Sequence, residues 1–163
     1  MDIAARLLGV APKLRAKINP QKLNYWLNFT HGWAEGDVLC QSNFTPEEIL
    51  SDWKTWEKLL IKFSKDKNVQ KRRASVVLLT KSVRNSSDKR FSNLAFKNTD
   101  LLKEEKDILI TKAVSWILRA LIKNHKEEVA DYLDKNKNVL PKIAVREVTN
   151  KLTTGKKSKL RNN

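Results

Sequence analysis

The chain has 163 residues, 40% of them apolar, which is enough for one domain with a real core and too many for a disordered chain. Its 33 Lys and Arg against 18 Asp and Glu give a formal net charge of +15, and a charge of that size draws a polyanion, nucleic acid first. The single cysteine, Cys40, excludes an intramolecular disulfide and a cysteine metal cluster and fits a reducing cytoplasm.

The opening stretch MDIAARLLGVAPKLR carries basic residues around an apolar run too short for a signal-peptide core. Nothing downstream approaches a membrane-spanning length, so a soluble, cytoplasmic, nucleoid-associated protein of bacterial type is expected, without a membrane partner, metal or other cofactor. Glycine and proline total eight, and apolar positions recur at intervals of three and four, so the fold class is all-α.

In chain order, Ile3, Leu7, Leu8 and Val10 are expected on a short helix lying against the Tyr25–Phe29 region. Pro20 opens a helix to about Thr30, with Leu23, Trp26 and Leu27 on one face. His31-Gly32 marks a break, and His31 is read as structural. A short helix follows over Trp33 to Gln41. Thr45-Pro46-Glu47-Glu48 is a strong start signal, with an N-cap, a first-turn proline and acids at the positive end of the dipole; this helix is expected to run to Ser64. Further helices are expected at Asn68–Val83, Asp88–Asn98, Glu104–Asn124, Lys126–Lys135 and Val139–Leu152. The domain assignment is a helical repeat over 1–152 and a basic, disordered tail over 153–163.

The basic excess is not confined to the tail. Between Lys62 and Arg90 there are ten Lys and Arg against only Asp66 and Asp88, and Lys151 to Arg161 holds five with no acid. Lys71-Arg72-Arg73-Ala74-Ser75-Val76-Val77-Leu78-Leu79 is echoed 39 residues later by Thr111-Lys112-Ala113-Val114-Ser115-Trp116-Ile117-Leu118, and more briefly at Lys142-Ile143-Ala144-Val145-Arg146. A period of that length suits antiparallel helix pairs of HEAT or armadillo type, stacked into a curved α-solenoid with a concave binding face. A generic helical bundle would also tolerate the echo.

Four local patterns taken in order narrow the reading: Trp33-x-x-x-Asp37, Lys71-Arg72-Arg73-Ala74, Lys112-Ala113-Val114-Ser115-Trp116-x-Leu118-Arg119, and Val145-Arg146-Glu147. Together they resemble the AlkD-like DNA alkylation repair enzymes, HEAT-repeat DNA glycosylases that act on alkylated purines. The resemblance spans about Leu23 to Leu152. It implies further helices ahead of the Trp33–Asp37 helix, where only some thirty residues stand, so a short or N-terminally truncated form is expected. It also implies excision of cationic N3- or N7-alkylpurines from duplex DNA in base excision repair without a base-flipping pocket, unlike ordinary base-flipping glycosylases. By that resemblance Asp37 is the catalytic carboxylate, Trp33 and Trp116 are the aromatic pair beside the lesion, and Arg73 holds phosphate. Arg72, Lys71, Lys112 and Arg119 are grouped with Arg73 as DNA-binding, on a protein expected to be monomeric.

The chemistry is coherent without the family. An alkylated purine is a cationic leaving group, and the sugar it leaves resembles an oxocarbenium ion, which a carboxylate can stabilise while positioning water. Trp33 and Asp37 are four apart on a helix and so share a face. Arg73 offers a planar fork to phosphate. The plainer readings are core packing for tryptophans, chosen for Trp26, Trp53 and Trp56, and a solvated helix acid for Asp37. Cys40 is read as a buried small hydrophobe. The alternative function is a non-catalytic HEAT-repeat module gripping DNA or another acidic partner by charge alone, although such a binder has no use for an acid among phosphates.

Overall fold

The computed structural model describes residues 2–41 and 43–156, which form eleven α-helices and one 3-10 turn, with no strand among them. The helices are α1 (Asp2–Val10), α2 (Pro12–Arg15), α3 (Lys22–Trp26), α4 (Gly32–Gln41), α5 (Pro46–Ser51), α6 (Trp53–Ser64), α7 (Val69–Asn85), α8 (Lys89–Leu102), α9 (Ile108–Leu121), α10 (Lys126–Asn136) and α11 (Lys142–Thr154). None of the helices among the described residues is long and apolar enough to cross a membrane.

The helices form two layers. An inner row runs α4, α7, α9, α11, each packed on the next; α6, α8 and α10 lie behind it, α8 between α7 and α9, and α10 against α9 and α11. The pattern of apolar residues dictates which helix takes which layer. Helix α6 buries one stripe, Trp56, Leu59, Leu60 and Phe63, at helical spacing. Helix α7 buries residues around its whole circumference, Val76, Val77, Leu78 and Leu79 consecutively, because helices press on it from several sides. Each fully buried Leu or Val contributes on the order of 1.5–3 kcal/mol of apolar transfer free energy.

Side-chain hydrogen bonds between helices record the repeat. Arg15 to Glu48 and Arg72 to Glu105 each span 33 residues, Arg73 to Asp37 spans 36, and Lys151 to the Arg119 carbonyl spans 32. A bundle with distant elements folded back would mix long and short spans. These cluster near one repeat length, as a solenoid requires. Asn98 on α8 ties two helices at once, donating to the Leu60 and Ser75 carbonyls in the interior.

Local chemistry sets the helix ends. Thr45 and Glu48 form the capping box, the Thr45 hydroxyl accepting from the Glu48 N–H at 3.3 Å and the Glu48 carboxylate from the Thr45 N–H at 2.9 Å. Asn68, Asp88 and Asp107 cap α7, α8 and α9 through side-chain oxygens. The single helix expected from Thr45 to Ser64 is two, broken at Asp52 (φ −134°, ψ 51°), where Ser51 and Asp52 favour local turns over helix. The helix expected from Pro20 to Thr30 is α3 followed by a 3-10 turn, Leu27–Phe29. Helix α9 starts at Ile108, not Glu104, because Asp107 takes the cap, and α11 starts after Pro141.

The N-terminal expectation needs a larger correction. Helix α1 packs mainly on α4, and Ile3, Leu7 and Val10 stand 76%, 61% and 80% exposed instead of covering Tyr25 and Phe29, which are themselves exposed. Of the described side chains of that helix, only Ala5, small enough to let the helices approach, is buried. At the other end, α11 continues to Thr154 and closes on Gly155 in the left-handed region (φ 69°). The tail expected to be disordered begins within that helix, and its residues 157–163 lie outside the described residues.

Candidate active site

Asp37 comes from the second turn of α4 and Arg73 from the second turn of α7, two neighbours of the inner row. Arg73 Nε and Nη2 both donate to Asp37 Oδ1, at 3.0 and 2.9 Å, and Nη2 also donates to Oδ2 at 2.9 Å; Nη1 donates to the Leu109 carbonyl at 2.6 Å. The helices approach closely here: a Cβ on Gly36 would meet the Gln70 Oε1 at 3.3 Å. The Asp37 side chain keeps 18% of its surface exposed, Arg73 only 6%. The carboxylate is the reachable member, and the arginine is its anchor. Burial pushes the Asp37 carboxyl above the ordinary aspartate value, and the Arg73 charge and hydrogen bonds pull it part of the way back.

Arg73 also lines an open cleft of about 670 Å³ along the inner row, together with Arg84, Lys112, Trp116, Arg119, Arg146 and Lys151. Among the described residues that line it, the only acid is Glu147, buried and accepting from Arg146 at 3.1 Å. Trp116 is half-buried against the core and presents its remaining face to the cleft. Arg73 therefore joins Asp37 to this cationic groove.

Of the residues singled out from the sequence, Arg73, Lys112, Trp116 and Arg119 line one cleft, and Asp37 joins it through Arg73. Trp33 stands 61% exposed one helical turn ahead of Asp37 and is not part of the cleft lining. Lys71 and Arg72 are elsewhere. Lys71 is buried and pairs with Asp66 at 3.6 Å, and Arg72 fastens to Glu105 at 2.8 and 3.0 Å and to the carbonyls of Asp66 and Lys67. Side chains on consecutive residues of a helix point about 100° apart, so Arg72 and Arg73 could not both face one groove.

Arg84 and Lys151 line the cleft and were not singled out as site residues from the sequence. Both sit in the last turn of an inner-row helix. A cation there reads as dipole compensation, and only the stacking of α7 on α9 and α9 on α11 brings them together.

Cys40, on the helix that carries Asp37, is buried, and burial, then the neighbouring carboxylate, push its thiol far above the ordinary range, so it is no nucleophile. His31 uses its backbone N–H to bond Glu35 at 2.7 Å, a structural role at the start of α4. Among the described residues no group of three His, Cys, Asp or Glu is placed to hold a metal ion.

The family comparison agrees in extent with this architecture. A family model described as DNA alkylation repair enzyme matches residues 3–152, from the start of α1 almost to the end of α11. No curated protein matches the chain.

Proposed function

The chain belongs to the DNA alkylation repair enzyme family, and we propose that within it this protein is an AlkD-like glycosylase with HEAT-like repeats, releasing cationic N3- or N7-alkylpurines from duplex DNA. The observation that carries the reading is the Asp37–Arg73 pair: one partly accessible carboxylate, anchored by a buried arginine that itself lines a cleft rich in cations.

The duplex backbone lies along the cleft and is held by charge. Asp37 faces the sugar of the damaged nucleotide. As the bond to the cationic base lengthens, positive charge develops on the sugar, and the carboxylate stabilises it and orients the attacking water. No general acid is needed for the base, which leaves neutral. Arg73 fixes the carboxylate's position through two of its nitrogens, so Asp37 does not reorganise as charge develops. Trp116 from the cleft wall and Trp33 from α4 pack against the sugar-phosphate backbone around the lesion.

Release of 7-methylguanine or 3-methyladenine from methylated duplex DNA, by the parent protein and by Asp37→Asn, tests the reading. Loss of release in the variant with retained binding supports it, and equal release overturns the assignment of Asp37. A second reading, a non-catalytic DNA-binding member, is favoured by one observation: both Asp37 oxygens already accept from Arg73, which blunts the carboxylate's charge. No release by the parent protein would select it.

A further inference from the structure

Residues 103–107, between α8 and α9, and 137–141, between α10 and α11, contribute to an open pocket of about 750 Å³ beside the starts of α9 and α11. Part of its wall is aliphatic. Leu140 is buried in the core, while Val139 next to it stands 40% exposed and lines the pocket with Ile143 and Val145. The Val139 and Leu140 N–H groups both donate to the Asn136 carbonyl, at 3.0 and 2.9 Å, and Pro141 holds the backbone that follows at φ −54°. This connection is set before anything binds, which lowers the ordering cost of binding.

Four cations line the same pocket, and two of them are answered within the chain: Lys137 pairs with Asp134 at 2.9 Å and Arg146 with Glu147 at 3.1 Å. Lys106 and Lys142 are exposed, and among the described residues neither amine has an ion-pair or hydrogen-bond partner. Their positions are unfavourable for a structural role. Lys142 is the first residue of α11 and Lys106 directly precedes Asp107, the cap of α9, so both stand at the positive end of a helix dipole, where an acid is favoured. The acid that lines the pocket, Glu105, is already held by Arg72 at 2.8 and 3.0 Å. An incoming carboxylate would complete both lysines.

We propose that this pocket docks a short acidic peptide of a partner protein, one aliphatic side chain seated on Val139 and Ile143 and the carboxylates beside it paired with Lys106 and Lys142. Apolar anchor and flanking acids are what the aliphatic wall and the two unanswered lysines jointly complement. A row of duplex phosphates gains nothing from an aliphatic wall and meets the exposed acids Glu104 and Asp107 on the first connection. Those acids also limit the partner to a short stretch. The chain's own formal charge of +15 makes a second copy the wrong occupant. Ile143 and Arg146 line both the pocket and the cleft, so the two are neighbours on α11, but docking uses neither Asp37 nor Arg73 and stands whether or not the protein releases bases.

The test is fluorescence anisotropy at physiological ionic strength with a fluorescein-labelled peptide in which one leucine is flanked by aspartates, with and without saturating undamaged duplex DNA. Binding should persist with the duplex present. Replacing the peptide's leucine by serine should weaken it about tenfold or more, and Val139→Asp should do the same by placing a like charge in the wall. The Lys106→Gln, Lys142→Gln double variant, changed only at exposed side chains, should also lose peptide affinity. Its affinity for duplex should match that of Lys97→Gln, Lys135→Gln, a control of equal charge on α8 and α10. Capture that ignores the leucine is charge adhesion to a basic protein and overturns the proposal, as does displacement of the peptide by duplex or no capture at all. A double variant that binds duplex more weakly than the control makes the two lysines part of a DNA surface and overturns it too.

Discussion

Asp37 and Arg73 stand 36 residues apart on adjacent inner-row helices, and three hydrogen bonds of 2.9–3.0 Å make each the other's principal partner. The pair fastens α4 to α7 and, on the proposed reading, holds the carboxylate that acts on the sugar. Stability and chemistry are therefore coupled at this point, and substitutions here should move both.

Asp37→Asn is expected to lower base release at least a hundredfold, about 3 kcal/mol of lost transition-state stabilisation, because the amide has the shape but not the charge. DNA binding should hold or tighten as an acid near phosphates is removed. The variant should also melt earlier: Asn can accept from Arg73 only through its single oxygen, leaving a buried guanidinium underserved at a cost of about 1–3 kcal/mol. Single-turnover release, a binding titration and a melt together check this; full activity in the variant would sink the catalytic assignment.

Acid should switch the enzyme off through the same carboxylate. Burial raises the Asp37 carboxyl, so the active, ionised form is complete at higher pH and is lost as pH falls through a value above that of an ordinary aspartate. Arg73→Met removes the charge and hydrogen bonds that pull that value back down, and the acid limb of the pH–rate profile should move to higher pH. A limb that stays put, or moves down, contradicts the role given to Arg73.

The two tryptophans should separate on a thermal melt. Trp33 is exposed, so Trp33→Ala should cost little stability, within about 0.5 kcal/mol, and any loss of release reflects contact with DNA. Trp116 packs partly on the core, and Trp116→Ala should lower stability by about 1–3 kcal/mol as well as slowing release. Equal melting of both variants would mean that Trp116 contributes nothing to packing.

Glu48 does double duty, closing the capping box of α5 and pairing with Arg15 from α2 at 2.8 Å. Burial alone would raise its carboxyl. The Arg15 hydrogen bonds, the Thr45 N–H and the charges of Arg15 and Lys81 together hold it below the ordinary glutamate value. A depressed carboxyl stabilises the fold above its unfolded-state pKa, and that contribution is lost as pH falls through the lower folded value. Glu48→Gln should therefore cost about 2 kcal/mol near neutrality and much less in acid. A pH-independent penalty would rule the ion pair out as its source.

Much of this architecture is legible in the sequence because it is written in local terms. Period, caps and charge excess predict helices, repeat and basic groove, and the family patterns pick out Asp37, Arg73 and Trp116. What escaped depends on rotation and stacking. Lys71-Arg72-Arg73 reads as one basic cluster, yet the turn of the helix sends Arg72 to Glu105 and Arg73 to Asp37. Arg84 and Lys151 read as unrelated helix ends because 67 residues separate them, and only α9 between their helices brings them to one cleft. The exposure of Ile3, Leu7 and Val10 is likewise decided by tertiary contact, and the break at Asp52 by the local turn preference of Ser51 and Asp52, neither by apolar spacing.

Arg6 aside, the side-chain hydrogen bonds among the described residues that reach beyond seven residues span between 23 and 41, so none of these ties crosses more than about one repeat. Such a chain has no single keystone. Unfolding should begin at an end and travel inward one helix pair at a time, and amide hydrogens should exchange in that order, earliest in α1 and α2 and last in α7 and α9. Since the cleft is lined from α7, α9 and α11, transient opening of the first helices would leave its walls assembled.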